Sequence, residues 1–305
     1  MSNMFKLAAV AALCATSFAA QAQVAFDANL ELDTTYTNRV KASASNARDR
    51  DLGLGGRLEV NASAKATNGQ NFVTGRGSLL LKKDGETGVD DFWVQAGNAS
   101  MDIKLGRFEA VDLFPVGKDT VLEFAGYTPY QGNILRGRKG SDEFHSAVGL
   151  NAAPGLRFEM GLVFSKEADK ARGVRPAVVY TSGPLTLRAG FESMKIVGTT
   201  GKSETGLALS GGYQVNKDLY VNANFAKQDK DKTFGLNATM GNAGIGLIQG
   251  KGEGAEDKVT SVYAAYTLPL LGVKGASVTP ALSYSKGGKG TDNQLAARVR
   301  INYAF

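Results

Sequence analysis

Apolar and polar residues alternate one by one along nearly all of this chain. From Val24 to Tyr36 the even positions are Val24, Phe26, Ala28, Leu30, Leu32, Thr34 and Tyr36, and the odd positions include Asp27, Asn29, Glu31 and Asp33. Leu52, Leu54, Leu58, Val60, Ala62 and Ala64 alternate in the same way with Arg57, Glu59, Asn61 and Ser63. Leu156, Phe158, Met160, Leu162 and Phe164 enclose Arg157 and Glu159, and the final Leu295, Ala297, Val299, Ile301, Tyr303 and Phe305 interleave with Gln294, Arg298, Arg300 and Asn302. A period of two belongs to a strand with one apolar and one polar face, and helical periodicity is almost absent. The pattern predicts sixteen strands, at 24–37, 51–66, 71–82, 91–97, 100–108, 143–151, 155–165, 173–181, 184–193, 203–214, 218–227, 232–240, 242–250, 258–268, 275–285 and 293–305. About ten residues at ~3.3 Å each, tilted ~45°, cross the hydrocarbon of a bilayer.

The connections alternate too. Short ones carry turn chemistry such as Asn68-Gly69, Pro154-Gly155 and Gly183-Pro184, while long ones are rich in Lys, Asp, Glu and Gly. Outward-facing aromatics fall at the two strand ends. Tyr36, Phe92, Phe144, Phe164, Phe191, Phe225, Phe234 and Tyr284 lie toward the long loops, and Phe26, Tyr180, Tyr213, Tyr266, Tyr303 and Phe305 toward the short turns. A secreted β-sandwich would alternate as well, but it has no reason to build two aromatic rings, which are the mark of a lipid band. Lipid forbids an open sheet edge, so the first strand is expected to pair with the last. Sixteen strands enclose an aqueous lumen, which would solvate the polar face. The fold class predicted is all-β: a 16-stranded antiparallel transmembrane β-barrel, with both chain ends on the short-turn, periplasmic side.

Composition adds an address. Outside the N-terminus no apolar run reaches a helical membrane span. Residues 1–22 read as a secretory signal peptide, with Lys6, an apolar stretch from Leu7 to Ala20, and cleavage after Ala20-Gln21-Ala22. Cleavage removes the single Cys, Cys14, and leaves the barrel at 23–305. The chain's net charge of +6 becomes +5 on loss of Lys6. Glycine is abundant, with 38 residues against 7 prolines.

The connection 109–142 is far longer than the others. Its Val111, Leu113, Phe114, Val116, Val121, Leu122 and Phe124 need a surface to pack on, and a wide lumen wall offers one. The alternative is an external lid that leaves the pore unnarrowed. Folded inward, the loop would place Glu109, Asp112, Asp119 and Glu123 in the channel, facing a basic wall of Arg57, Arg76, Arg136, Arg138, Arg298 and Arg300. Opposed rings of charge across a constriction select solutes by size and sign. The one histidine, His145, has no catalytic motif around it, so no enzyme is expected. Asp84, Glu86, Asp90 and Asp91 read as solvated loop charges rather than a Ca²⁺ site. No cofactor or metal is expected. Nucleic acid is not expected either, because the arginines are spread over lumen faces and form no single patch.

The signal, the sixteen strands and the terminal Ile301-Asn302-Tyr303-Ala304-Phe305 resemble the Gram-negative outer-membrane porin family of 16-stranded trimeric porins. The strand Met101-Asp102-Ile103-Lys104-Leu105-Gly106-Arg107 resembles that family's fifth strand, ahead of its constriction loop. The loop tip Asp112-Leu113-Phe114-Pro115 departs from the family's usual Pro-Glu-Phe-type tip. The resemblance implies an outer-membrane homotrimer embedded in lipid, with loop 109–142 folded into the pore and Phe305 read by the barrel-assembly machinery. A porin passing small hydrophilic solutes and ions by passive diffusion follows, with a mild anion preference expected from the charge of +5 and the many lumen arginines. A carbohydrate-selective porin is the alternative, and would need a track of lumen aromatics. Phe72, Trp93 and Tyr220 qualify by parity, with Phe124, Tyr127 and Tyr130 from the loop. The small outward residues Gly56, Ala62, Ala64, Gly75 and Gly77 suit a subunit contact.

Overall fold

A computed structural model of the chain describes residues 23–42, 47–140, 142–198, 203–251, 258–288 and 292–305. The signal-peptide reading of 1–22 lies outside these residues. The strands are β1 (Gln23–Val40), β2 (Arg48–Asn68), β3 (Asn71–Lys82), β4 (Thr87–Gly97), β5 (Met101–Arg107), β6 (Phe144–Ala153), β7 (Leu156–Phe164), β8 (Ala171–Ser182), β9 (Leu185–Ile196), β10 (Glu204–Gln214), β11 (Leu219–Gln228), β12 (Asp231–Met240), β13 (Ala243–Lys251), β14 (Val259–Tyr266, resuming after Thr267 as Leu268–Pro269), β15 (Ala276–Lys286) and β16 (Asn293–Ala304). Each pairs antiparallel with the next, and β1 pairs with β16, closing the barrel. The closing register runs from Asn29↔Ala304 to Val40↔Asn293. Backbone bonds between Ala28 and Phe305, in both directions, extend it by one rung.

The sixteen strands fall where the alternation placed them, with ends displaced by a few residues. β4 begins four residues early, at Thr87, and β1 and β2 continue pairing to Val40↔Arg48 although the alternation has already faded. The resumed segment of β14 ends at Pro269, which has no N–H to give to a ladder. Bulges between Gly77 and Leu79 and between Asn151 and Ala153 shift the register locally.

The two faces of the sheet separate as the period requires. Leu54, Leu236 and Ile245 point outward and are each at least 60% exposed. The aromatics Phe92, Phe144, Phe164, Phe191, Phe234 and Tyr284 are exposed near the long-loop end, and Phe26, Tyr180, Tyr213, Tyr266, Tyr303 and Phe305 near the short-turn end. Such a surface is stable in hydrocarbon and unsupportable in water.

The inner face divides by composition. Over β9–β15 it is lined by small residues, among them Ala208, Ala226, Thr233, Ser261, Ala281 and Ser283, all buried. Over β16 and β1–β5 it carries charge, in Asp27, Glu31, Asp33, Arg57, Glu59, Arg76, Asp91, Asp102, Lys104, Arg298 and Arg300. The β5–β6 connection lies over the small half and meets the charged half at its edges, on β16 and β4.

Candidate functional site

The β5–β6 connection runs along the inner wall as a two-limbed belt. Its outbound limb begins at Phe108 and buries Leu113 and Phe114 in one cluster with Val163, Ala177, Met194, Ala208, Ala226 and Ile248 from the wall. Three amide side chains on adjacent strands converge on the carbonyl of Pro115: Asn237 at 2.8 Å, Asn224 at 3.0 Å and Asn222 at 3.3 Å. The Tyr263 hydroxyl donates to the carbonyl of Val116 at 2.9 Å. The returning limb is held at Glu123, whose carbonyl accepts from Ser261 and Ser285 and whose carboxylate accepts from Gln294. Tyr130 then donates to Glu192 at 2.8 Å.

The wall beneath the belt is flat because it lacks side chains. A Cβ on Gly235 would lie 2.8 Å from two ring carbons of Phe114, and one on Gly244 2.6 Å from Lys118. On Gly190 it would overlap Leu113, and on Gly206, Tyr130. The high glycine count therefore has a local cause: these lumen positions are the floor on which the belt lies.

Arg175 of β8 and Glu192 of β9, each 1% exposed, sit at the middle of the belt 3.5 Å apart. Glu192 accepts from Tyr130 and from the backbone N–H groups of Leu135 (2.6 Å) and Ile134 (3.3 Å). Arg175 donates to the carbonyls of Val111 (2.9 Å) and Gly132 (3.1 Å) and to Asn133 Oδ1 (3.1 Å). Burial, and next the charge of Glu192, hold the Tyr130 phenol well above its ordinary range, so it remains a donor. Burial likewise pushes the Tyr127 hydroxyl up to about 12.

Opposite the belt the charges interleave. Asp119, at the belt's far end, bridges Arg298 (2.7 Å) and Arg300 (3.0 Å). Arg300 continues to Asp33 (2.7 Å) and Glu31 (3.6 Å), and Arg57 joins Glu31 (3.1 Å) to Glu59 (3.8 Å). Arg76 reaches Glu59 (3.7 Å), Asp27 (3.9 Å) and Asp91 (3.5 Å). Arg138 links Asp91 (3.5 Å) and Asp90 (2.6 Å) to Glu109 (3.0 Å), and Arg136 links Glu109 (3.2 Å) to Asp112 (4.0 Å). The six arginines picked out from the sequence are thus members of one chain of alternating charge.

The grouping differs from opposed acidic and basic rings. Only Asp119 meets wall arginines across the belt. Arg136 and Arg138 belong to the returning limb and neutralise Glu109, while Arg57 and Arg76 are held by acids of their own wall. Glu123 faces Gln294 rather than an arginine. Asp33 and Asp90, which join the chain, had no motif to mark them, nor had Arg175, Glu192 and the three asparagines. One signal was available: Arg175 is the one charge on the lumen face of β8, between Gly173 and Ala177, and Glu192 stands beside Gly190 on that of β9.

The aromatic candidates form no continuous track. Tyr130 is buried against the wall, Lys104 caps Trp93 at 3.8 Å, and Lys65 lies over Phe72 at 5.9 Å. His145 is fully buried, stacked on Phe108 with ring centroids 4.1 Å apart and its Nδ1 3.2 Å from the Phe108 carbonyl. Glu86 pairs with Lys82, whereas Asp90 and Asp91 turn inward to Arg138. Among the described residues no three His, Cys, Asp or Glu side chains gather into a metal-sized group.

A family model described as porin-like glycoporin RafY matches residues 17–146, which include β1–β5 and the whole belt. No curated protein matches the chain. Among solved structures, OmpT, an outer membrane protein of Vibrio cholerae in trimer form, superposes with a TM-score of 0.67 at 14% identity, over 93% of this chain and 100% of that one. The anion-selective porin of Comamonas acidovorans gives 0.67 at 16% identity over the same shares. A mutant of Rh. blastica porin gives 0.58 at 12% identity, again over 93% and 100%. At these identities the likeness is one of fold.

Proposed function

We propose that this chain, an integral β-barrel of the bacterial outer membrane with the sixteen-stranded porin fold, is a passive diffusion channel for small hydrophilic solutes and ions. Its constriction would be bounded by the belt on one side and by β16 and β1–β5 on the other. The observation that carries this reading is the alternating charge chain from Arg298 to Asp112. So many ionised groups on an inner wall are tolerable only where water reaches them. Water that reaches them also forms a path. Glu109, Asp112, Asp119 and Glu123 are the belt's contribution to the eyelet, and Arg57, Arg76, Arg136, Arg138, Arg298 and Arg300 its cationic share.

The linked set holds six guanidinium groups against nine carboxylates, namely Asp27, Glu31, Asp33, Glu59, Asp90, Asp91, Glu109, Asp112 and Asp119. Every guanidinium lies within 4.0 Å of a carboxylate, so the field a passing ion meets is largely self-cancelling beyond a few ångströms. The mild anion preference expected from the net charge draws no support from this count. Weak selectivity with a slight lean to cations fits it better. In a salt gradient across a planar bilayer the reversal potential should lie close to zero, displaced slightly to the cation side. Arg300→Ala strips a partner from Asp33, Glu31 and Asp119 at once and should move it clearly further that way. A shift toward anions would contradict the assignment of Arg300 to the channel wall.

Carbohydrate selectivity is a second reading, favoured by the glycoporin description of the matching family model. It requires an ion current that sugar blocks saturably. Simple diffusion gives no such block.

Assembly is proposed as a homotrimer in outer-membrane lipid, inserted by machinery that reads Phe305. The facing pairs Ala62↔Gly77 and Ala64↔Gly75 make a flat outward patch on β2 and β3 suited to a subunit contact. Ala64→Arg should leave monomers in mild detergent with single-channel conductance intact. Trimers of normal stability would place the contact elsewhere.

A further inference from the structure

We infer that the Arg175–Glu192 pair is the positioning element of the constriction: it ties both limbs of the belt to one point of the wall and so holds the aperture at a single size. The inference rests on the diffusion-channel reading and assigns to that channel two residues that never face its water.

The geometry is asymmetric in a useful way. Glu192 takes three donors from the returning limb, the Tyr130 hydroxyl and the N–H groups of Ile134 and Leu135. Arg175 reaches the outbound limb at the Val111 carbonyl and the returning limb at Gly132 and Asn133. Because the two side chains also face each other, the limbs are bound to the wall and to one another through one contact. Barrel closure does not need them. Among the adjoining lumen positions, Gly190, Ala177, Ala208 and Ala226 are small and Met194 is apolar, so the pair is a polar insertion in an apolar stretch of wall. A buried ion pair is a poor source of bare stability, since apolar side chains of the same volume do as well or better. What it does supply is direction: six polar groups of the belt converge on it, three on the Glu192 carboxylate and three on Nη2 of Arg175.

The belt between Pro115 and Glu123 has anchors of its own, in Asn222, Asn224, Asn237, Tyr263, Ser261 and Ser285, whereas the stretch from Gly132 to Leu135 is tied to the wall through this pair. Loss of the pair should therefore leave a belt that stays inside the barrel while its returning limb near Gly132–Leu135 wanders. The test is single-channel recording of the full mature protein. Wild type should show one steady open level. Glu192→Ala leaves the Arg175 guanidinium without its counter-charge, a penalty the belt relieves by opening to water; the variant should insert as a barrel, yet show several-fold greater open-channel current noise and admit larger neutral solutes. A disulfide from Leu113→Cys with Gly190→Cys, in the Glu192→Ala background, should restore the steady level until reductant is added. The two positions touch, and Cys14 is the only native cysteine. Tyr130→Phe removes one hydrogen bond and no volume. It gives the same readout, at smaller amplitude, if Glu192→Ala fails to assemble. Wild-type noise and solute cutoff in assembled Glu192→Ala or Tyr130→Phe would overturn the inference.

Trypsin separates this failure from failure of the channel reading. Arg136, Arg138 and Lys139 lie just beyond the clamp, and folded Glu192→Ala should be cut there faster than wild type. Faster cutting in a protein that never conducts would leave the clamp standing and sink the channel. A conducting wild type with equal cutting and equal noise in the variant would do the reverse.

Discussion

Removal of β16 should abolish the membrane-inserted protein, not merely weaken it. Residues 293–305 supply one complete side of two ladders, from Asn29↔Ala304 to Val40↔Asn293 on β1 and from Ala276↔Tyr303 to Lys286↔Asn293 on β15. A chain ending at Asp292 leaves two strand edges open at bilayer depth. Each unpaired N–H or C=O in hydrocarbon costs several kcal/mol, so a handful exceeds the whole stability of an ordinary domain. The same cut removes Arg298 and Arg300 and strands Asp119 and Asp33. The measurement is heat-modifiable mobility of the truncated chain after folding into lipid vesicles. Full-length protein should run as a compact barrel when unheated, and the truncated chain as an unfolded one. A compact truncated barrel would mean that β1 and β15 can close without β16, and the register described above would be wrong.

The second large effect concerns the floor under the belt. Valine at both Gly206 and Gly235 should expel the belt while sparing the barrel. In a strand valine is favourable, and both positions have ordinary strand backbone. Above the strand there is no room. A side chain at Gly206 would occupy the space of Tyr130, and one at Gly235 meets the Phe114 ring. Overpacking of a tight contact costs about 1–3 kcal/mol per site, and the belt can escape into water more readily than sixteen paired strands can shift. The expected results are rapid proteolysis within 109–142 in a barrel of normal mobility, and a larger cutoff for neutral solutes. Unchanged protease resistance with unchanged cutoff would show that the belt's place is set elsewhere.

The strands and the inward fold of the belt were legible in the chain for the same reason: both depend on local demand. Alternation at Leu156–Phe164 or Gln294–Phe305 shows a face for lipid and a face for water without knowledge of any partner. Leu113, Phe114 and Val121 likewise announce that the loop needs a wall. The wall they find was not legible. Arg300 meets Asp33 across 267 positions of sequence, because closure sets β16 beside β1. Reading charges by segment sorts acids to the loop and bases to the wall, whereas register sorts them into alternating neighbours. Parity identified Glu31 and Arg57 as lumen residues but not that they face each other, since a strand slipped by two residues keeps the same parity. Glycine was visible only as an excess. Its role emerged once Gly190, Gly206, Gly235 and Gly244 were seen under one loop.

These particulars bear on what the channel discriminates. An eyelet with acids on one side and bases on the other orients dipolar solutes and can favour one sign of ion. An eyelet whose guanidinium groups are each paired with at least one carboxylate offers hydrogen-bond donors and acceptors close together and little net field. In the proposed channel, size and the ability to exchange water for hydrogen bonds would then govern passage more than charge.

The most direct test is planar-bilayer recording of the purified protein in a potassium chloride gradient, with neutral solutes of graded size added. The expected result is a steady, unblocked conductance with a reversal potential near zero and a slight cation lean, reduced smoothly by solutes small enough to enter. A reversal potential near the limit for either ion, or the absence of any conductance, would contradict it.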